Sequence, residues 1–224
     1  MKYSNWPYFS KEEASIVSKV LLSNKVNYWT GSKNKEFEDS FSKYCNTKYA
    51  IALSNGTVAL EIALKSLNIS TGDEVIVTPR SFIASVSCVI NVGAKPVFAD
   101  VDLNTGNITH ETIKKNLSNK TKAIICVHLG GFPCEMDSIM KLAQKCKLFV
   151  IEDCSQAHGA FYKNRPVGSI GDIGTWSFCQ DKIISTAGEG GMITTNNKKL
   201  WSKMWSLKDH GKNYEIIQKN KFKK

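Results

Sequence analysis

The residues of this chain with the most chemical promise are a lysine, an aspartate and a Gly-Thr pair, each at the edge of an apolar run. Lys182 sits in "WSFCQDKIISTAGEGG" (176–191), between a strand-like stretch and a glycine-rich turn that holds one glutamate. Most lysines decorate solvated surfaces, but these flanks are apolar on one side and small on the other. A lysine in a cleft can form a Schiff base with a carbonyl, the more so when desolvation lowers its pKa. Asp153 closes the apolar run "LFVIED" (148–153). A buried carboxylate is costly unless a metal, a cation or a protonated ring nitrogen faces it; the plainer alternative is a helix N-cap. Gln156 and His158 follow shortly after, and His158 by itself reads as a packed ring. Gly56 and Thr57 open "GTVALEIALKSL", where Leu60, Ala63, Leu64 and Leu67 share one helical face. Free amides and a hydroxyl at a helix start make an anion site, although an ordinary cap by Ser54 or Asn55 accounts for the pattern as well.

These groups match the needs of pyridoxal 5′-phosphate (PLP). That cofactor takes a lysine for the Schiff base, an acid against its ring nitrogen, a phosphate cradle and an aromatic to stack on the ring. Lys182, Asp153, Gly56 and Thr57 with Ser177, and Phe82 supply one candidate each. A metal centre is the competing use of the same region, recruiting Asp153, His158 and His128. No HxxxH or HxH pair supports it, and no metal is expected.

The elements that would position these residues alternate in type. Strand-like runs cover 74–78, 95–101, 123–129, 148–153, 173–178 and 191–195; helix-period segments cover 82–92, 109–117 and 137–146, with Thr109 as a cap. The alternation predicts a three-layer α/β/α fold, a mostly parallel sheet with helices on both faces. Ligands in such folds bind beyond the carboxyl ends of the strands. The polar residues there are Asp100, Asp102, His128, Asp153 and Ser177.

Composition narrows the classes. The 224 residues carry a formal charge of +10, with 42% hydrophobic residues, enough for a real core. The charge is concentrated: residues 198–224 hold nine lysines against Asp209 and Glu215. This reads as a solvated basic tail; a nucleic-acid-binding module is the alternative, but no zinc knuckle, RNP motif or helix-turn-helix accompanies it. Seven cysteines without a CxxC pair fit a reducing compartment and no disulfide framework. The start of the chain lacks an apolar signal core, and the longest uncharged stretch (81–94) is too short to span a bilayer. The expected location is the cytoplasm, with no membrane and no nucleic-acid partner.

Seven stretches resemble the DegT/DnrJ/EryC1/StrS family of sugar aminotransferases: "NYWTG" (27–31), "SNGTVALEIAL" (54–64), "GDEVIVTPRSFIASV" (72–86), "KPVFADVD" (95–102), "IEDCSQAHGA" (151–160), "GDIGTWSFCQDK" (171–182) and "GEGGMITT" (188–195). With "KDHGK" (208–212), the pattern looks like the nucleotide-sugar, perosamine-synthetase-like branch. The resemblance implies a fold-type I, aspartate aminotransferase-like large domain over residues 1–211, with an N-terminal arm (1–31), a basic tail (212–224) and no C-terminal small domain. It implies that Lys182 holds PLP and shuttles a proton, and that Asp153 partners the ring nitrogen. Gln156 would contact the side of the ring bearing the 3-hydroxyl, while Gly56, Thr57 and Ser177 bind the phosphate and Phe82 stacks on the ring. A lysine, where dehydratase relatives carry histidine, favours transamination. The implied reaction moves an amino group from glutamate to a keto group of a nucleotide-linked deoxysugar, for O-antigen, capsule or antibiotic sugars, in a homodimer. Family members are usually considerably longer, so a truncated, catalytically inert remnant is the alternative expectation.

Overall fold

The computed structural model describes residues 6–221. In chain order these form α1 (Lys11–Leu22), α2 (Lys33–Tyr44), β1 (Tyr49–Leu53), α3 (Gly56–Ser66), β2 (Glu74–Val77), α4 (Ala84–Asn91), β3 (Lys95–Phe98), α5 (His110–Lys114), β4 (Thr121–Val127), α6 (Met136–Cys146), β5 (Phe149–Asp153), β6 (Phe161–Tyr162), β7 (Arg165–Pro166), β8 (Ile173–Ser177), β9 (Gly191–Thr195), α7 (Lys198–Lys208) and α8 (Tyr214–Lys221). Seven strands make one sheet in the order β1-β9-β8-β5-β4-β2-β3. The neighbours from β8 to β3 are parallel, and β9 runs antiparallel to both β8 and β1. β6 and β7 form a separate small hairpin.

The strand period of two explains the layers. Val75, Val77, Ala123, Ile125, Val127 and Ile151 bury one face of the sheet with α3, α4 and Trp205 of α7. Their neighbours Ile76, Ile124, Cys126 and Val150 bury the other with Ile113 of α5 and Ile139 of α6. Strands coated on both sides read as continuous apolar runs, as parallel strands do. This is the expected three-layer α/β/α fold around a mostly parallel sheet.

Two expectations need correction. The helix read over 82–92 begins only at Ala84, with no side-chain cap at Ile83. Phe82 therefore lies in the preceding loop. The lysine-rich segment read as a solvated tail folds into α7 and α8, joined by a turn over 209–213; residues 222–224 lie outside the described residues. Helix periodicity hid behind the charge: Met204 and Trp205 are buried, and Trp201 and Trp205 pack edge-on against Tyr214. Lysines on the outer face coexist with an aromatic inner face. Lys208 turns inward, bonding Glu38 at 3.1 Å and lying 4.0 Å from the centre of the Tyr28 ring. Among the described residues no helix is long and apolar enough to cross a membrane.

Candidate active site

The carboxyl ends of the parallel strands β4, β5 and β8 and the start of α3 enclose one cavity of about 420 Å³. Gly56, Thr57, Phe82, Asp153, Gln156, Ser177 and Lys182, distant in sequence, all line it. Asp100, Asp102 and His128, also at strand ends, do not. Asp102 instead accepts from the amides of Asn104 and Thr105 in its own turn.

The start of α3 is capped and borders the cavity. Asn55 caps the helix, its side chain accepting from Val58 N at 2.8 Å, while its carbonyl accepts from Ala59. The amides of Gly56 and Thr57 are left without an acceptor among the described residues, at the positive end of the helix dipole. The Asn55 cap is therefore present, and it leaves these two amides open to a further acceptor. Gly56 is required by close approach: a Cβ there would lie 2.9 Å from Ser177 Cβ. Gly191, at the start of β9, likewise has no room for a side chain, because a Cβ would strike the Asn55 carbonyl. The two glycines let α3 and the ends of β8 and β9 meet, which brings the Ser177 hydroxyl beside the helix start.

Asp153 is 5% exposed. Its Oδ2 accepts from Ser85 Oγ at 2.7 Å, and its Oδ1 accepts from both the amide and the hydroxyl of Ser155, at 3.1 and 2.7 Å. It is not capping a helix; it ends β5 and faces the cavity among hydroxyls. Gln156 Oε1 accepts from Gly130 N at 2.8 Å. With the oxygen so occupied, its NH2 is the free end of the amide. Lys182 Nζ lies 3.6 Å from Asp181 Oδ2, and the lysine loop is pinned at its base by Phe178 N donating to Gly190 O and Gln180 N to Gly188 O. Trp6 Nε1 also reaches this loop, donating to Asp181 O at 3.1 Å. Phe82 stands at the mouth, 70% exposed.

The residues of the competing metal reading are not gathered. His158 is buried against Trp176 and Phe178, with neither ring nitrogen hydrogen-bonded. Burial pushes its pKa down to about 4, with the charge of Lys182 acting in the same direction, so the ring is neutral. Among the described residues, the three potential ligands that do cluster are His128, Glu152 and Cys154. Two of them are already engaged: His128 Nε2 meets Glu152 Oε2 at 3.0 Å, and Cys134 N donates to His128 Nδ1. Glu152 also accepts from the amides of Gly168, Ile170 and Gly171. Burial raises its pKa, but the bonds from His128, Gly171 and Gly168 more than offset this and hold it below the usual carboxylate value.

Sequence reasoning passed over Ser81, Ser85, Ser155, Cys179, Asp181 and Glu189, which also line the cavity. Ser81 and Ser85 are four residues apart around the start of α4, a spacing that brings them together; Glu189 was visible in the glycine-rich turn but unassigned.

Whether PLP suits this cavity can be judged from its donors. It offers free amides and hydroxyls at one end, a buried carboxylate whose bonds come from three donors, an amide NH2, and a lysine: the residues fit the group.

Residues 7–223 match the DegT/DnrJ/EryC1/StrS aminotransferase family. The chain belongs to that family. Its aminotransferases are PLP-dependent enzymes. The chain is 45% identical over 208 residues to the GDP-perosamine synthase of Escherichia coli O157:H7, covering 92% of this chain and 56% of that protein. The X-ray structure of an aminotransferase from Psychrobacter cryohalolentis superposes with a TM-score of 0.96 at 62% identity, covering 97% of this chain and 55% of that one. A sugar aminotransferase of Streptococcus pneumoniae in its PLP form gives 0.82 at 30% identity, over 90% of this chain and 56% of that one. The chain thus spans somewhat over half the length of each.

Proposed function

We propose that this chain is the cofactor-binding part of a sugar aminotransferase that moves an amino group, from glutamate as donor, to a keto group of a nucleotide-linked deoxysugar destined for surface polysaccharide such as O-antigen. The observation that carries the reading is the convergence of Gly56, Thr57, Phe82, Asp153, Gln156, Ser177 and Lys182 on one cavity at the carboxyl ends of the sheet. Bound PLP would supply an electron sink.

The chain's own residues have separable tasks. The amides of Gly56 and Thr57, with the hydroxyls of Thr57 and Ser177, bind the phosphate dianion at the start of α3. Asp153 holds a proton on the ring nitrogen, because an ionised carboxylate favours the charged form of its partner. The Gln156 NH2 donates to the ring oxygen. Phe82 covers the ring and excludes water from one side. Lys182 is the residue that would hold the cofactor through Nζ, and its free amine would take up a proton and return it, as base and then acid. We place the enzyme in the cytoplasm as a homodimer, by analogy with the family.

Adding PLP to the purified chain is expected to produce the absorbance band of a lysine-bound cofactor, and Lys182→Ala to abolish it. An intact chain without a band would sink the cofactor reading. Amino transfer from glutamate, tested on a panel of nucleotide-linked keto-deoxysugars, then identifies the acceptor. A band without any transfer would point to a cofactor-binding chain that does not turn over.

A further inference from the structure

Asp153 does not reach the cavity alone. Ser85, 1% exposed, donates to its Oδ2 at 2.7 Å. Ser85 Oγ is also 2.7 Å from Ser81 Oγ. A serine hydroxyl has one proton, and that of Ser85 is committed to the carboxylate. The Ser81–Ser85 bond must therefore be donated by Ser81. The result is a directed chain, Ser81 O–H to Ser85 O–H to Asp153 Oδ2, in which each link polarises the next. It spans the loop that carries Phe82 and anchors that loop to β5.

We propose that Ser85, supported by Ser81, is a positioning residue for the cofactor: it fixes the Asp153 carboxylate, through Oδ2, in the orientation that receives the ring nitrogen's proton. This rests on the PLP reading above. Ser155 secures the other oxygen, so the carboxylate is held from two sides and cannot rotate between cavity and core. Loss of the Ser85 hydroxyl frees one side and leaves a buried acceptor short of a donor.

The test compares two ligands on the full 224-residue chain: PLP, and its 1-deaza analogue with C–H in place of the ring nitrogen. Ser85→Ala is expected to weaken PLP binding about tenfold, the size of one hydrogen bond to a charged group. It should leave binding of the analogue within about twofold, because the analogue presents no proton to Asp153. Ser85→Thr, which keeps the hydroxyl, should bind like the wild type. Ser81→Ala should shift PLP in the same direction by less, and it tests the relay should Ser85→Ala fail to fold. Equal losses for both ligands, or no loss for either, overturn the positioning role while leaving the cofactor reading intact. A wild-type chain that binds neither ligand overturns both.

Discussion

Glu152 and Asp153 are consecutive carboxylates at the end of β5, both buried, with side chains on opposite faces of the sheet. Glu152 is bound by His128 and by three backbone amides of the 168–171 loop. Asp153 is bound by two serines whose hydroxyls, like the carboxylate itself, border the cavity. One anion ties a loop to the scaffold; the other is kept available. A buried charge therefore does not by itself announce a site. The setting of its donors does: loop amides and a buried ring for Glu152, two cavity-lining serines, through both hydroxyls and one amide, for Asp153.

The sharpest way to break this contrast is Glu152→Ala. Removing one member of a buried, hydrogen-bonded set should cost about 3–5 kcal/mol in urea unfolding. A loss below about 1 kcal/mol would mean the network carries no structural weight. Asp153→Asn should do the reverse. We expect cofactor-dependent amino transfer to fall on the order of 100-fold, close to 3 kcal/mol in barrier, with unfolding little changed. Equal stability losses in the two variants would erase the distinction.

His158 sharpens the comparison through pH. Its folded pKa, about 4, is depressed from 6.5, so the unfolded chain binds the proton first. Its stabilising contribution is complete above pH 6.5 and is lost as pH falls toward 4, roughly 2–3 kcal/mol over that window. Glu152, also depressed, keeps its contribution above its unfolded value of 4.5 and loses it as pH falls further. Denaturation followed from pH 8 to 3 should show these as successive losses. His158→Phe should flatten the first and leave the second; a profile unchanged by that substitution would refute the assignment. The smallest effect is expected at Asn55→Ala, about 1 kcal/mol for a lost helix cap. Measured with and without phosphate, it shows how far cap and anion site are independent.

Most of the sheet was legible because buried parallel strands leave apolar runs bounded by polar residues, as in "AIICV" and "FVIED". The candidate site was legible where a charged residue interrupts such a run, at Asp153, or a glycine precedes a helix, at Gly56. The serines around Asp153 were not, since a serine near a helix start is ordinary and only the fold brings residue 85 to residue 153. Glu152 was invisible for a related reason: its partners lie at 128 and 168–171. The inward face of α7 was masked by its lysines, which dominate the composition without deciding which side packs.

Among the described residues, β1 has β9 as its one neighbour in the sheet, with Leu53 paired to Gly191. On a ribosome adding about 5–20 residues per second, Gly191 follows Leu53 by roughly ten seconds. Through that interval the strand leading into the turn at Gly56 lacks the partner it pairs with in the folded sheet. The parallel centre, β2 through β5, can assemble from segments much nearer in sequence, whereas the edge holding Gly56 waits for the chain that follows Lys182. The cavity is thus closed by long-range pairing, the slow kind of contact, so the pocket proposed for the cofactor is completed at the end of folding rather than at its start.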